Sequence, residues 1–108
     1  MIVSDIALEY GADGLVEIVI LDNLTNLPLN LNSYTMAFVI NDSALPLFTE
    51  QSSSNVSLGT DGTLSILFDS ITTTHLHRTY SGNNSYRVYI TSQDGITLLA
   101  SKGFLTIE

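Results

Sequence analysis

The chain has no cysteine and no tryptophan, and its 108 residues include only three cations, Arg78, Arg87 and Lys102. Each scarcity excludes something. Without cysteine there is neither a disulfide nor a thiolate metal site. With eleven acids against three bases the formal net charge is −8. Nucleic-acid binding rests on Lys and Arg neutralising phosphates, and a field of this sign repels DNA, RNA and anionic lipid. The expectation is therefore no nucleic acid and no membrane among the partners. Residues 2–8, IVSDIAL, lack the basic flank and long apolar stretch of a secretion signal. No apolar run approaches the ~20 residues of a membrane span. A Gly-x-Ser-x-Gly elbow and a glycine-rich phosphate loop are both missing, so no nucleophile or phosphate chemistry is signalled. The expectation is that the protein is not an enzyme and needs no cofactor.

What is present is a 44% apolar chain of a length suited to one domain, residues 1–108, around one core. Met1 opens it and little is left over beyond that domain, which suggests a complete gene product. Short runs of alternating apolar residues are separated by turn residues, the pattern of an all-β fold. The runs cover residues 2–8, 15–21, 34–40, 56–58, 63–68, 85–91 and 96–107, with a break expected at Gly103. Residues 45–48 contain Pro46, which cannot donate to a ladder, so that stretch reads as an edge or an irregular crossing. The two-residue period points Val16, Ile18 and Ile20 inward, then Met36, Phe38 and Ile40, then Leu64, Ile66 and Phe68, then Tyr86, Val88 and Ile90. Leu29 and Leu31 of the loop at 22–33 are expected to tuck under the sandwich edge. Asp13-Gly14, Asp61-Gly62 and Asp94-Gly95 each offer the positive φ of a tight turn. Residues 70–79 are the best helical stretch, yet four of them are threonines, so one turn of helix is expected and not a long helix.

About seven antiparallel strands in this length give an immunoglobulin-like sandwich of two sheets. Tyr86 or Tyr80 is then a candidate for the corner tyrosine that bonds back to upstream backbone. Four pieces sharpen this reading: DNLTNLPLNLNSY at 22–34; Asp61-Gly62 and the alternating strand after it; the Thr-rich residues 71–76; and Tyr86-Arg87-Val88-Tyr89-Ile90 followed by Asp94-Gly95 and Gly103-Phe104-Leu105-Thr106-Ile107. Together they resemble the immunoglobulin-like domains of tailed-bacteriophage virion proteins, notably the amino-terminal domain of baseplate upper proteins. The resemblance implies the sandwich fold and a place in a virion. It implies no functional residues, because the shared cadence is architectural. These 108 residues carry no coiled coil, fibre or receptor-binding domain of the kind baseplate proteins have, so capsid decoration, neck and tail stand beside the baseplate as expected places. The expected partners are other virion proteins, with self-association in a symmetric assembly as one form.

Several polar groups are candidates for chemistry. His75 and His77, two apart in an extended segment, could share a metal with Asp69 or Asp42, although a site needs three or four ligands. Asp22, Asn23, Asp61 and Asp94 would gather at one end of such a sandwich and could hold calcium, but each Asp also suits its own turn. Asn23, Asn41, Asn55 and Asn83 begin glycosylation-type triplets that read as polar surface. The inward sets leave Val19, Leu21, Leu67 and Tyr89 facing out, and Val39 with them; apolar outer faces point to a covering partner. An edge strand, the first or the last, is the other expected docking element. A carbohydrate-binding or host-adhesion module, using Tyr89, Tyr80 and Tyr10 on a cell-surface glycan, is the alternative.

Overall fold

The alternation in the sequence sets which side of each strand is buried. The computed structural model describes residues 2–22, 24–41, 43–44, 55–80 and 82–108. In chain order its elements are β1 (Ile2–Val3), β2 (Ile6–Leu8), β3 (Gly14–Val19), β4 (Thr35–Ile40), β5 (Ser43–Ala44), β6 (Val56–Leu58), β7 (Thr63–Phe68), α1 (Ser70–Tyr80), β8 (Gly82–Thr91) and β9 (Thr97–Ile107). Residues 45–48, with Pro46, lie outside the described residues, as do Asn23 and Asp42.

The strands form two sheets. The larger runs β5–β4–β8–β9, with β1 and β2 both on the far side of β9; the smaller runs β3–β7–β6. This is the immunoglobulin order, in which the sheet of the third, sixth and seventh strands, extended by one more, faces the sheet of the second, fourth and fifth. The protein is an all-β sandwich of that kind. One refinement concerns the amino terminus. The run at residues 2–8 is two short strands, and both pair with β9 in parallel. The last strand is thereby flanked on both sides and is not an edge. Among the described residues the free edges belong to β1, β2 and β5 in one sheet and to β3 and β6 in the other.

The inward sets fill the space between the sheets. Met36, Phe38, Ile40, Leu64, Ile66, Phe68, Tyr86, Val88 and Ile90 are all buried. Phe38 joins the layers: its ring meets Phe68 of the opposite sheet edge-on at 5.5 Å, and stacks on its own neighbour Tyr86 at 5.5 Å. Burying each such side chain contributes about 1.5–3 kcal/mol. Leu31 is fully buried and Leu29 half-buried, as expected of the loop that closes one edge.

Strand β9 is not broken at Gly103. It passes through, and the irregularity falls where Val88 faces Ser101 but Tyr89 faces Leu99, so Ala100 is the extra residue of a bulge. Gly103 is needed for another reason. A Cβ there would overlap the Ser4 carbonyl, because the kink between β1 and β2 crosses directly over it.

Two of the three Asp-Gly pairs turn as expected, with Gly62 and Gly95 at φ 83° and 86°. The pair at Asp13-Gly14 does not. The left-handed residue is Gly11, while Gly14 begins β3 and is tight against Leu8. The chain is crossing between sheets here, not turning a hairpin within one.

The segment after β7 is also longer in helix than its composition predicts: α1 has 11 residues. Asp69 caps it, accepting from Thr72 N–H at 2.8 Å, and Asp13 accepts from Ser70 N–H at 2.7 Å. Thr73 and Thr74 return their hydroxyls to the Ser70 carbonyl. Thr72, Thr73 and Leu76 are buried, so tertiary contact overrides the weak propensity of threonine. Leu76 is the buried plug at this corner.

Candidate functional site

Each sheet has an outer face, and the five apolar residues expected to face out divide between the two. On the smaller sheet Val19 is 52% exposed and Leu67 is 37% exposed. Leu15, 60% exposed, stands opposite Leu67 in register and completes that pair. Leu21 is exposed beyond the end of β3, in an isolated bridge to Pro28. Glu17 sits between Leu15 and Val19 on the same face, opposite Ser65. Leu15 has the same parity as Val19, so the alternation that exposes one exposes the other.

Val39 and Tyr89 lie on the outer face of the larger sheet, both half-buried. Tyr89 stands between Ala37 and Leu99. The next outward row runs Val3, Lys102, Arg87 and Val39 across four strands. Phe104 follows beside it, opposite Ser85 and 54% exposed. Two of the chain's three cations are thus direct cross-strand neighbours. Like charges so placed are destabilising by themselves. The parity of Arg87 is readable from sequence, but its pairing with Lys102 depends on the bulge at Ala100 and is not.

The polar candidates have other work. In a helix, residues two apart point about 200° from each other, so His75 and His77 diverge. His77 packs against the Tyr10 ring at 4.8 Å, and His75 is exposed. Asp69 is held by the helix cap and by the Asn55 amide at 3.3 Å. Thr72 N–H, then its hydroxyl, then Asn55 hold the Asp69 carboxyl below its ordinary 3.8. Asp22 accepts from Leu24 N–H, and Asp61 accepts from Thr63 N–H, which likewise lowers the Asp61 carboxyl. The 20–34 connection and the 59–62 turn are bonded together through Ile20 to Gly62 and Leu31 to Gly59. Even so, no three acid or imidazole groups converge among the described residues. Each of Asp22 and Asp61 serves its own turn.

Tyr86 is a buried hydroxyl with two partners. It donates to the Ser4 carbonyl and lies 3.1 Å from Ser101 Oγ, so it ties the amino-terminal kink to β8 and β9. Its partner is in the first strands rather than a few residues upstream, so it is not the corner tyrosine of antibody-type domains. Burial pushes the phenol above its ordinary value; Ser101 opposes this and the charge of Asp5 adds to it. Tyr80, the other candidate, is half-buried against the core at the end of α1. Tyr10 packs on His77 of α1, whereas Tyr89 lies in the middle of the larger sheet.

Two clefts follow the seam beside the open edge of β3. One, about 350 Å³, lies between β2 and β3 over Tyr86 and Ser101. The other, about 620 Å³, is lined by Val19, Leu29, Tyr34, Ile90 and Leu98, with Asp22 and Asn26 among its polar groups. They offer apolar contact and scattered hydrogen bonds.

No protein-family model matches the chain, and no curated protein matches it in sequence. Among solved structures it is similar to an endo-β-1,4-mannanase from Thermotoga petrophila, at 12% identity and a TM-score of 0.49, over 97% of this chain and 18% of that one. The chain therefore spans under a fifth of the mannanase. It is also similar to murine CRIg (11% identity, TM-score 0.46, 96% of this chain and 92% of that one). A third similarity is to extracellular domains 3–5 of Drosophila OTK (14% identity, TM-score 0.44, 95% and 31%).

Proposed function

We propose that this protein is a non-enzymatic structural component of a tailed-bacteriophage virion, an accessory or adaptor that docks on capsid, neck, tail or baseplate. The observation that carries the reading is the set of apolar side chains on the outer faces: Leu15, Val19 and Leu67 on one sheet, Val3, Val39, Tyr89 and Phe104 on the other. A sandwich needs only its inner faces for folding, so apolar outer faces on both sheets suit a protein covered on both sides. The cadence shared with virion domains supports the particle. The polar groups support the absence of catalysis, since Asp22, Asp61, Asp69 and Tyr86 are each engaged in a turn, a cap or a strand tie.

The test is sedimentation of purified particles with quantitative detection of this chain. Co-sedimentation is expected. A few copies per particle place it at neck, tail or baseplate, and many copies place it on the capsid. Absence from particles purified without loss of infectivity overturns the proposal.

A further inference from the structure

The two outer faces differ in charge as well as position. The larger sheet presents Arg87 and Lys102 side by side, framed by Val3, Val39, Tyr89 and Phe104. No acid stands among the outward residues of β4, β8 and β9. The smaller sheet presents the reverse: Glu17 at the centre of β3, framed by Leu15, Val19 and Leu67, with no base among the outward residues of β3, β6 and β7. Among the described residues none of Arg87, Lys102 and Glu17 forms an ion pair within the chain.

We infer that copies of this chain stack, the Arg87–Lys102 face of one on the Glu17 face of the next. Two observations select a second copy as the occupant. The charges are complementary and each is ringed by apolar side chains, which exclude water and strengthen the pairing. An unmet pair of adjacent cations is stabilised by a facing carboxylate, and the chain supplies Glu17 on its opposite side. Because the two surfaces differ, the contact is heterologous. It propagates as a ring or a filament rather than closing as a twofold dimer. The inference rests on the two faces and not on the particle reading.

The test is sedimentation velocity across concentration and salt. The wild-type chain is expected to form species beyond the dimer as concentration rises, and to dissociate as salt rises. Glu17→Lys alone and Arg87→Ser with Lys102→Ser each should weaken association by roughly tenfold or more. Mixing these two variants gives the decisive arm. The intact basic face of the first meets the intact Glu17 face of the second, so a capped one-to-one heterodimer is expected. Circular dichroism of each variant confirms that it is folded. A wild-type chain that stays monomeric at millimolar concentration and low salt overturns the inference. So does an oligomer indifferent to both sets of substitutions, or a mixture that forms no heterodimer. None of these results bears on co-sedimentation with particles.

Discussion

Tyr86 concentrates several constraints in one side chain. Its ring stacks on Phe38 within the core, and its hydroxyl serves both Ser4 and Ser101. Tyr86→Phe keeps the ring and leaves the Ser4 carbonyl and the buried Ser101 hydroxyl without that partner. The expected cost is about 1–3 kcal/mol in urea unfolding. Hydrogen exchange should show the loss of protection spreading to Ile6–Leu8, which the Ser4 tie helps to anchor. A variant that loses stability while those strands stay fully protected would separate the hydroxyl from the anchor. Asp69 carries a different constraint, one that titrates. Its folded carboxyl lies below 3.8, so its contribution is fully present above that pH. The contribution is lost as pH falls through the lowered folded value. Asp69→Asn keeps an acceptor for the cap but has no such titration. The difference between wild type and this variant in urea midpoint should therefore shrink as pH falls below about 4. A difference that stays constant to pH 2 would show that the charge contributes nothing.

At the scale of elements, what the sequence makes legible is whatever depends on parity. The strands at 56–58 and 63–68 match β6 and β7 to the residue, and every inward set is buried or half-buried as the alternation requires. Parity is local, and steric alternation enforces it without reference to the rest of the chain. What depends on distant partners is not legible. The helix α1 is built by Asp69, by Asp13 from the turn before β3, and by burial of two threonines, none of which intrinsic propensity contains. The parallel seat of β1 and β2 on β9, and the passage of Gly103 beneath Ser4, join residues about a hundred positions apart. The candidate surface divides in the same way. Val19, Leu67, Val39 and Tyr89 face out by parity. The Arg87–Lys102 pair requires the register of β8 on β9, and that register is shifted by a bulge no local signal marks.

For the whole molecule, the placement of charge and the placement of the ends point to one kind of use. The two broad faces are complementary to each other, so a stack needs no second protein to begin. The ends matter once such a stack is pulled. Because β1 and β2 run parallel to β9, the amino-terminal end of the first strands and the carboxyl-terminal end of the last leave from opposite ends of the same seam. Tension applied between Ile2 and Glu108 slides these strands along each other instead of peeling them apart. The paired residues from Ile2 opposite Ser101 to Leu8 opposite Ile107 are then loaded together, with the Ser4 and Glu108 backbone bonds beside them. Rupture must break them nearly at once. In single-molecule pulling the chain should unfold at high force when held by its ends, and at much lower force when held at Ile2 and Thr97, where the same seam unzips one pair at a time. The sandwich is in this sense a mechanical clamp, strongest along its own length.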